Sequence, residues 1–155
     1  MTGPIPYSPT PGLSYDPSDN VYWDPQGLAD EIDRTFEICQ GCRMCFKYCD
    51  SFPLLFSFVD DHHDGDVRGI TADETARVFD ACFQCKLCEV QCPYSARDNH
   101  DFLLDFPRLV HRYRAQETRR QGVGRRERIL GDPDRTARLV RASGGLADVL
   151  NRRSR

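Results

Sequence analysis

The sequence predicts a mainly α-helical protein built around two cysteine-rich loops, each delivered by a helix. Three observations carry that expectation. Apolar residues recur at helical spacing behind recognisable helix starts. No segment alternates apolar and polar side chains convincingly, as a half-buried strand would. All eight cysteines fall between Cys39 and Cys92, in two runs of identical C-x2-C-x2-C-x3-C spacing.

Residues 1–23 read as an extended or disordered arm. The first twenty are rich in Pro, Ser, Gly and Tyr and show no periodicity. Tyr15, Tyr22 and Trp23 are the residues able to pin its far end to a core. A helical domain holding both cysteine runs is then expected over 24–121, followed by a basic helical tail over 122–155. Asp24-Pro25 is a helix start, with Asp as N-cap and Pro at the first helical position. Leu28, Ile32 and Phe36 follow at i, i+4 and i+8, so one face of this helix is apolar to about Ile38. Asp30, Glu31 and Asp33 sit early in it, where the helix dipole favours acids. The helix delivers the chain to the first run, Cys39-Gln-Gly-Cys42-Arg-Met-Cys45-Phe-Lys-Tyr-Cys49.

Residues 50–70 read as irregular, with a short helix starting at Pro53 and a polar loop over 60–66. Thr71-Ala-Asp-Glu74 is a capping box, Thr as N-cap and Glu three residues on. The helix behind it carries Ala76, Val78 and Phe79 and leads to the second run, Cys82-Phe-Gln-Cys85-Lys-Leu-Cys88-Glu-Val-Gln-Cys92-Pro93. The unit of helix plus cysteine run therefore occurs twice, as an internal repeat. After Pro93, Asp98 or Asn99 is the expected cap of a helix holding Phe102, Leu103 and Phe106, with Pro107 kinking or restarting it. Leu109, Val110 and Tyr113 extend its apolar stripe. The segment turns basic at Arg112, Arg114, Arg119 and Arg120 and stops near Gly122. Asp132-Pro133 restarts a helix that ends by Ser143–Gly145, before a short piece over Leu146–Leu150.

With 155 residues and a mean hydropathy of −0.59, the chain has a modest core for its length and needs a staple. The N-terminus lacks the basic and apolar regions of a signal peptide. Its longest apolar run, Phe52 to Val59, is far short of the roughly 18–20 residues of a membrane span. The expected placement is cytoplasmic, with peripheral attachment at the inner face of the membrane as a variant. Clustered thiols there favour metal over disulfides. The net charge of −3 conceals an asymmetry: residues 106–155 carry 14 Lys+Arg against 5 Asp+Glu, and residues 1–105 carry 7 against 19.

The repeated spacing is the bacterial [4Fe-4S] signature. Three thiolates two residues apart wrap three corners of a cubane, and the fourth must come from elsewhere. In two-cluster ferredoxins the last cysteine of each run serves the other cluster. On that rule Cys39, Cys42, Cys45 and Cys92 hold one of two [4Fe-4S] clusters, and Cys82, Cys85, Cys88 and Cys49 hold the other. Each bound cluster with its thiolates adds roughly −2 to the front of the chain. Zinc is the lesser reading, because a third cysteine in each run exceeds what one tetrahedral ion takes from two C-x2-C pairs. Phe46, Tyr48, Phe83, Leu87 and Val90 are expected to shield the clusters from water. Arg43, Lys47 and Lys86 either tune them or form a solvated face.

Other signals are weak. His62-His63 lies between aspartates and reads as a solvent loop, since adjacent histidines rarely aim at one ion. His100 and His111 read as surface residues. No catalytic Ser/His/Asp array, phosphate loop or G-x-G-x-x-G occurs, so no catalytic residue is assigned. The basic tail lacks the interleaved aromatics of a nucleic-acid surface. It suits an acidic partner or membrane headgroups better.

At Cys39–Cys49 and Cys82–Cys92 the chain resembles the α-helical ferredoxin domain. That domain occurs in iron–sulfur subunits of heterodisulfide reductase, of anaerobic glycerol-3-phosphate dehydrogenase and of succinate dehydrogenase. The 32 residues between the runs, the helices leading into them and the arginine-rich helical tail all favour it over the short βαββαβ ferredoxin. The likeness is strongest to oxidoreductases similar to the iron–sulfur subunit of anaerobic glycerol-3-phosphate dehydrogenase, over roughly residues 25–140. It implies single-electron relay between a dehydrogenase or flavoprotein donor and an acceptor, which can be a quinone-linked membrane subunit. Two departures stand out: Asp50 follows Cys49 where the family often has proline, and the CCG domains usual in that family do not occur before Arg155. The rival class is a structural or regulatory metal-binding module, holding zinc or a redox-sensing cluster, with the basic tail as its contact surface.

Overall fold

Asp24 caps its helix as its place before Pro25 predicts. Its carboxylate accepts from the backbone N–H of Gln26 at 3.2 Å and of Gly27 at 2.9 Å. In this computed structural model, which describes residues 3–142, helix α1 runs over Pro25–Cys42. That is one turn beyond the expected end at Ile38, so Cys39 and Cys42 lie on the helix itself. The stop comes at Arg43: its N–H makes the last i→i−4 bond, to the carbonyl of Cys39 at 2.8 Å, and its left-handed backbone (φ 53°) turns the following chain out of the helix.

Leu28, Ile32 and Phe36 are buried, as their spacing requires. The acidic residues behave differently from the dipole expectation. None lies in the first turn. Glu31 is fully buried and bound bidentately by Arg34, with Nη2 to Oε2 at 2.6 Å. Arg34 also donates to the carbonyls of Tyr7 (2.9 Å) and Phe102 (2.8 Å), and the N–H of Thr10 donates to Glu31. A desolvated charge pair survives when every remaining donor is used, and here those donors tie two irregular segments to α1.

The stretch after Cys49 is more helical than expected. Helix α2 spans Ser51–Ser57, starting two residues before Pro53 and leaving Pro in its first turn, where a missing N–H costs nothing. It passes into a π-turn over Phe58–His62. Phe52, Leu55, Phe56, Phe58 and Val59 are all buried. Helix α3, Ala72–Asp80, begins at the Thr71–Glu74 capping box, whose two reciprocal bonds are both present. Glu74 also receives His62 at 3.1 Å and His63 at 2.8 Å. Backbone and histidine hydrogen bonds hold its carboxyl far below the ordinary value, at about 2. Phe79 is the aromatic hub: its ring meets Phe36, Phe106 and Tyr113 at 5.5, 5.8 and 4.9 Å.

A short helix α4, Leu87–Gln91, lies inside the second cysteine run. No helix then starts at Asp98 or Asn99. Residues 93–105 form turns, with Asn99 and Leu103 left-handed (φ 55° and 47°). The Ser95–Leu104 pairing is the lone β-bridge among the described residues. Helix α5, Phe106–Gln121, starts later, and Asp105 accepts from the N–H of Arg108 at 2.9 Å in the manner of a cap. Pro107 sits in its first turn and restarts the chain as a helix. Gly122, at φ 76°, ends it.

Arg112 reads as part of a basic surface from sequence, and the structure places it in the core at 0% exposure. It donates to the carbonyls of Gly12 (2.7 Å), Tyr22 (2.8 Å), Val21 (2.6 Å) and Asp24 (3.3 Å). Arg114 likewise turns inward, to the carbonyls of Phe79 and Cys82. Residues 3–19 carry no helix or strand, yet the arm's Tyr22 is buried and Tyr15 bonds the backbone of Leu103 and Asp105. Trp23 donates to Pro17.

The chain divides into two units, Met1–Gln116 and Glu117–Arg155. The first contains everything above except the last residues of α5 and Gly122. In the second, the last residues of α5 are followed by α6, Arg125–Leu130, and α7, Pro133–Ala142. Asp132 accepts from the N–H of Arg135 at 2.9 Å, the cap predicted for α7. Ile129, Leu130 and Leu139 are exposed there, at 50%, 79% and 59%. The expected segments at Ser143–Gly145 and Leu146–Leu150 lie outside the described residues. Among the described residues no helix is long and apolar enough to cross a membrane.

Candidate iron–sulfur site

The two cysteine runs share a spacing and one backbone device, and otherwise differ. The shared device is a left-handed residue directly after the second cysteine: Arg43 at φ 53° and Lys86 at φ 62°. Non-glycine residues enter that region at a cost of roughly 1–2 kcal/mol, so its recurrence at equivalent positions marks a turn the site demands. In the first run Cys39 and Cys42 come from the last turn of α1, and Cys45 from a 3₁₀ turn over Met44–Lys47. In the second, Cys82 and Cys85 lie on an irregular loop with a further left-handed residue, Gln84 (φ 57°), and Cys88 lies on α4.

One open pocket is lined by Cys39, Cys42, Cys45 and Cys92. Its walls include Ile38, Phe52, Phe56, Tyr94 and Leu104. Three thiols of the first run thus meet the last cysteine of the second. Cys49, Cys82, Cys85 and Cys88 are linked through their charges to one another and also to Cys39 and Cys45. Burial raises the Cys82 thiol, and a Cys49 charge would raise it further. Burial likewise pushes up Cys88, which also feels Cys45, Cys82, Cys49 and Cys85. Burial raises Cys39 well above its ordinary value, with Cys45, Cys92, Cys88 and Cys42 adding to it, and pushes Cys45 to about 12. As free thiols these groups hold their protons, and metal binding must displace them.

All eight cysteines are free thiols. Among the described residues no three Cys, His, Asp or Glu side chains converge as a single ion requires. Zinc would need sulfurs about 2.3 Å from one centre. A cubane, whose metal corners stand apart, takes its four thiolates from around a pocket, as Cys39, Cys42, Cys45 and Cys92 line this one. His62 and His63 are spent on Glu74. His100 is not merely superficial: its ring lies against Phe102 at 4.7 Å, while His111 is exposed.

The expected shield is different from the one found. Phe46, Tyr48, Phe83, Leu87 and Val90 are all exposed, Phe83 at 74%. Phe46 lies on the 3₁₀ turn, Phe83 on the loop before α4, and Leu87 and Val90 on α4. The pocket's water-excluding wall comes from α2 and from the loop after Cys92, through Phe52, Phe56, Tyr94 and Leu104. The one sequence signal for that wall is the apolar run starting at Phe52.

Residues 38–97 match the family model of a 4Fe-4S dicluster domain. Over this segment the chain is similar to iron–sulfur, ferredoxin-like domains. The segment holds both cysteine runs, the helices α2 and α3 between them, and the Cys92 turn. No curated protein and no solved structure matches the chain.

Proposed function

We propose that the protein is an electron-transfer iron–sulfur protein or subunit, with two [4Fe-4S] clusters, relaying single electrons between a dehydrogenase or flavoprotein donor and an acceptor. A quinone-linked membrane subunit is one such acceptor. The observation that carries the reading is the pocket in which Cys92 joins Cys39, Cys42 and Cys45. Cys82, Cys85, Cys88 and Cys49 are assigned to the second cluster on the charge neighbourhood of Cys82 and Cys88.

A bound cluster supplies one-electron redox chemistry. The chain's own residues do the rest. The thiols give up protons and ligate. The left-handed turns at Arg43 and Lys86 redirect the chain directly after the second cysteine of each run. Phe52, Phe56 and Leu104 keep water from the first site. The exposed apolar residues Met44, Phe46, Phe83 and Leu87 offer a partner close approach.

Anaerobic reconstitution with iron and sulfide tests the reading. About eight irons and eight sulfides per chain are expected, with broad visible absorbance that bleaches on dithionite. Stoichiometric zinc without sulfide refutes it.

A further inference from the structure

The two candidate sites sit in unlike fields, and this inference rests on the two-cluster reading above. At the first site Arg43 is offset by Asp60 at 2.6 Å, and Lys47 is exposed to solvent. At the second, Lys86 has Glu89 at 3.8 Å. Arg114 is different. Its guanidinium reaches the carbonyls of Phe79 at 2.7 Å and Cys82 at 3.0 Å, and it pairs with no carboxylate among the described residues. It therefore holds an unbalanced positive charge against the backbone of a ligand cysteine.

Gln84 adds a second asymmetry. Its side-chain amide donates to the Cys82 sulfur at 3.8 Å. The equivalent position in the first run is Gly41, which has no side-chain donor to offer. Gln84 reaches the sulfur from a left-handed backbone at φ 57°, a conformation that suits glycine better. The strained residue at this position is the one that brings an N–H to a ligand sulfur.

Reduction adds one negative charge to a site. A fixed cation and an N–H donor to a ligand sulfur both stabilise that charge and raise the potential. We infer that Gln84 and Arg114 are tuning residues that make the Cys82–Cys85–Cys88–Cys49 site the first to accept an electron, ahead of the Cys39–Cys42–Cys45–Cys92 site. With dithionite as reductant, each site takes one electron, dithionite is oxidised, and no bond in the chain forms or breaks.

The test is an EPR-monitored redox titration of the full chain, reconstituted anaerobically, with iron and sulfide counted on the same samples. Gln84→Gly removes the donor and relieves the backbone, so folding is spared. It should cut the reduced-to-oxidised ratio of the first-reduced signal roughly tenfold at fixed ambient potential, about 59 mV for one electron, while the second signal stays in place. Arg114→Gln should lower the same signal, and Arg114→Lys should keep it. A Gln84→Gly chain in which only the later signal moves, or in which neither moves threefold, overturns the inference. A wild-type chain that does not load about eight irons overturns the two-cluster reading and this one with it.

Discussion

Replacing Arg112 with Met should release the N-terminal arm from the core. Arg112 is fully buried and serves four carbonyls, on Gly12, Val21, Tyr22 and Asp24. Methionine preserves most of the stem and removes every donor. Gln116 already donates to Tyr22 at 2.7 Å and Asp24 at 3.3 Å, so those two carbonyls keep a partner. Val21 keeps the backbone N–H of Asp24 at 3.1 Å, and the carbonyl of Gly12 loses its partner. A buried acceptor left unsatisfied costs about 1–3 kcal/mol. Part is returned, because burial already disfavours the guanidinium charge and lowers its pKa. A net of about 1.4 kcal/mol is roughly tenfold in the local opening equilibrium. Amide hydrogen exchange on reconstituted protein should show that gain at residues 10–24, with cluster content unchanged. Exchange within threefold of wild type across that segment would refute the assignment and leave Tyr15 and Tyr22 as the arm's anchors.

Cys49→Ser should remove the EPR signal of the site built on Cys82, Cys85 and Cys88 and spare the other; loss of only the Cys39 site would refute the crossed pairing. Phe79→Ala, which empties the aromatic hub, should cost about 3–5 kcal/mol, seen as cluster loss at lower denaturant. The apo-protein should be the alkali-sensitive form. Its folded Cys45 thiol binds a proton more tightly than the unfolded one, so stability is whole below the ordinary value of 9.0 and is lost as pH rises towards about 12. In the loaded protein the thiols carry no proton, and circular dichroism should stay flat over that range. Glu74 works in the opposite direction. Its depressed carboxyl stabilises α3 above its ordinary value of 4.5, and that contribution fades as pH falls towards about 2; Glu74→Gln should flatten this acid limb.

The helices with chemically marked starts are legible from sequence. Asp24-Pro25 and the Thr71–Glu74 box act locally, so a few adjacent residues suffice to place them. The cysteine runs are legible as spacing for the same reason. What escapes reading depends on distant partners. Arg112 and Arg34 look like surface charges until carbonyls far along the chain take up their donors. The end of α1 at Cys42 hangs on Arg43 entering the left-handed region, which nothing about arginine announces. The shield is misplaced on sequence because lying between ligands in the chain does not bury Phe46, Tyr48 or Phe83. The real wall is drawn from α2, which reads as irregular because Pro53 falls early in it. The late start of α5 has a similar origin: Asp98, Asn99 and Asp105 are all plausible caps, and only Asp105 meets an N–H three residues on.

The binding of Gly12 by Arg112 spans 100 residues of sequence, and that span has a consequence during synthesis. The arm leaves the ribosome first, and the guanidinium that secures it follows after the rest of the cysteine-bearing chain. At about 5–20 residues per second the wait is roughly 5–20 s. By its end both cysteine runs are out while the fold that surrounds them is still open at one side. The thiols of the nascent chain are therefore less covered before α5 appears than after it.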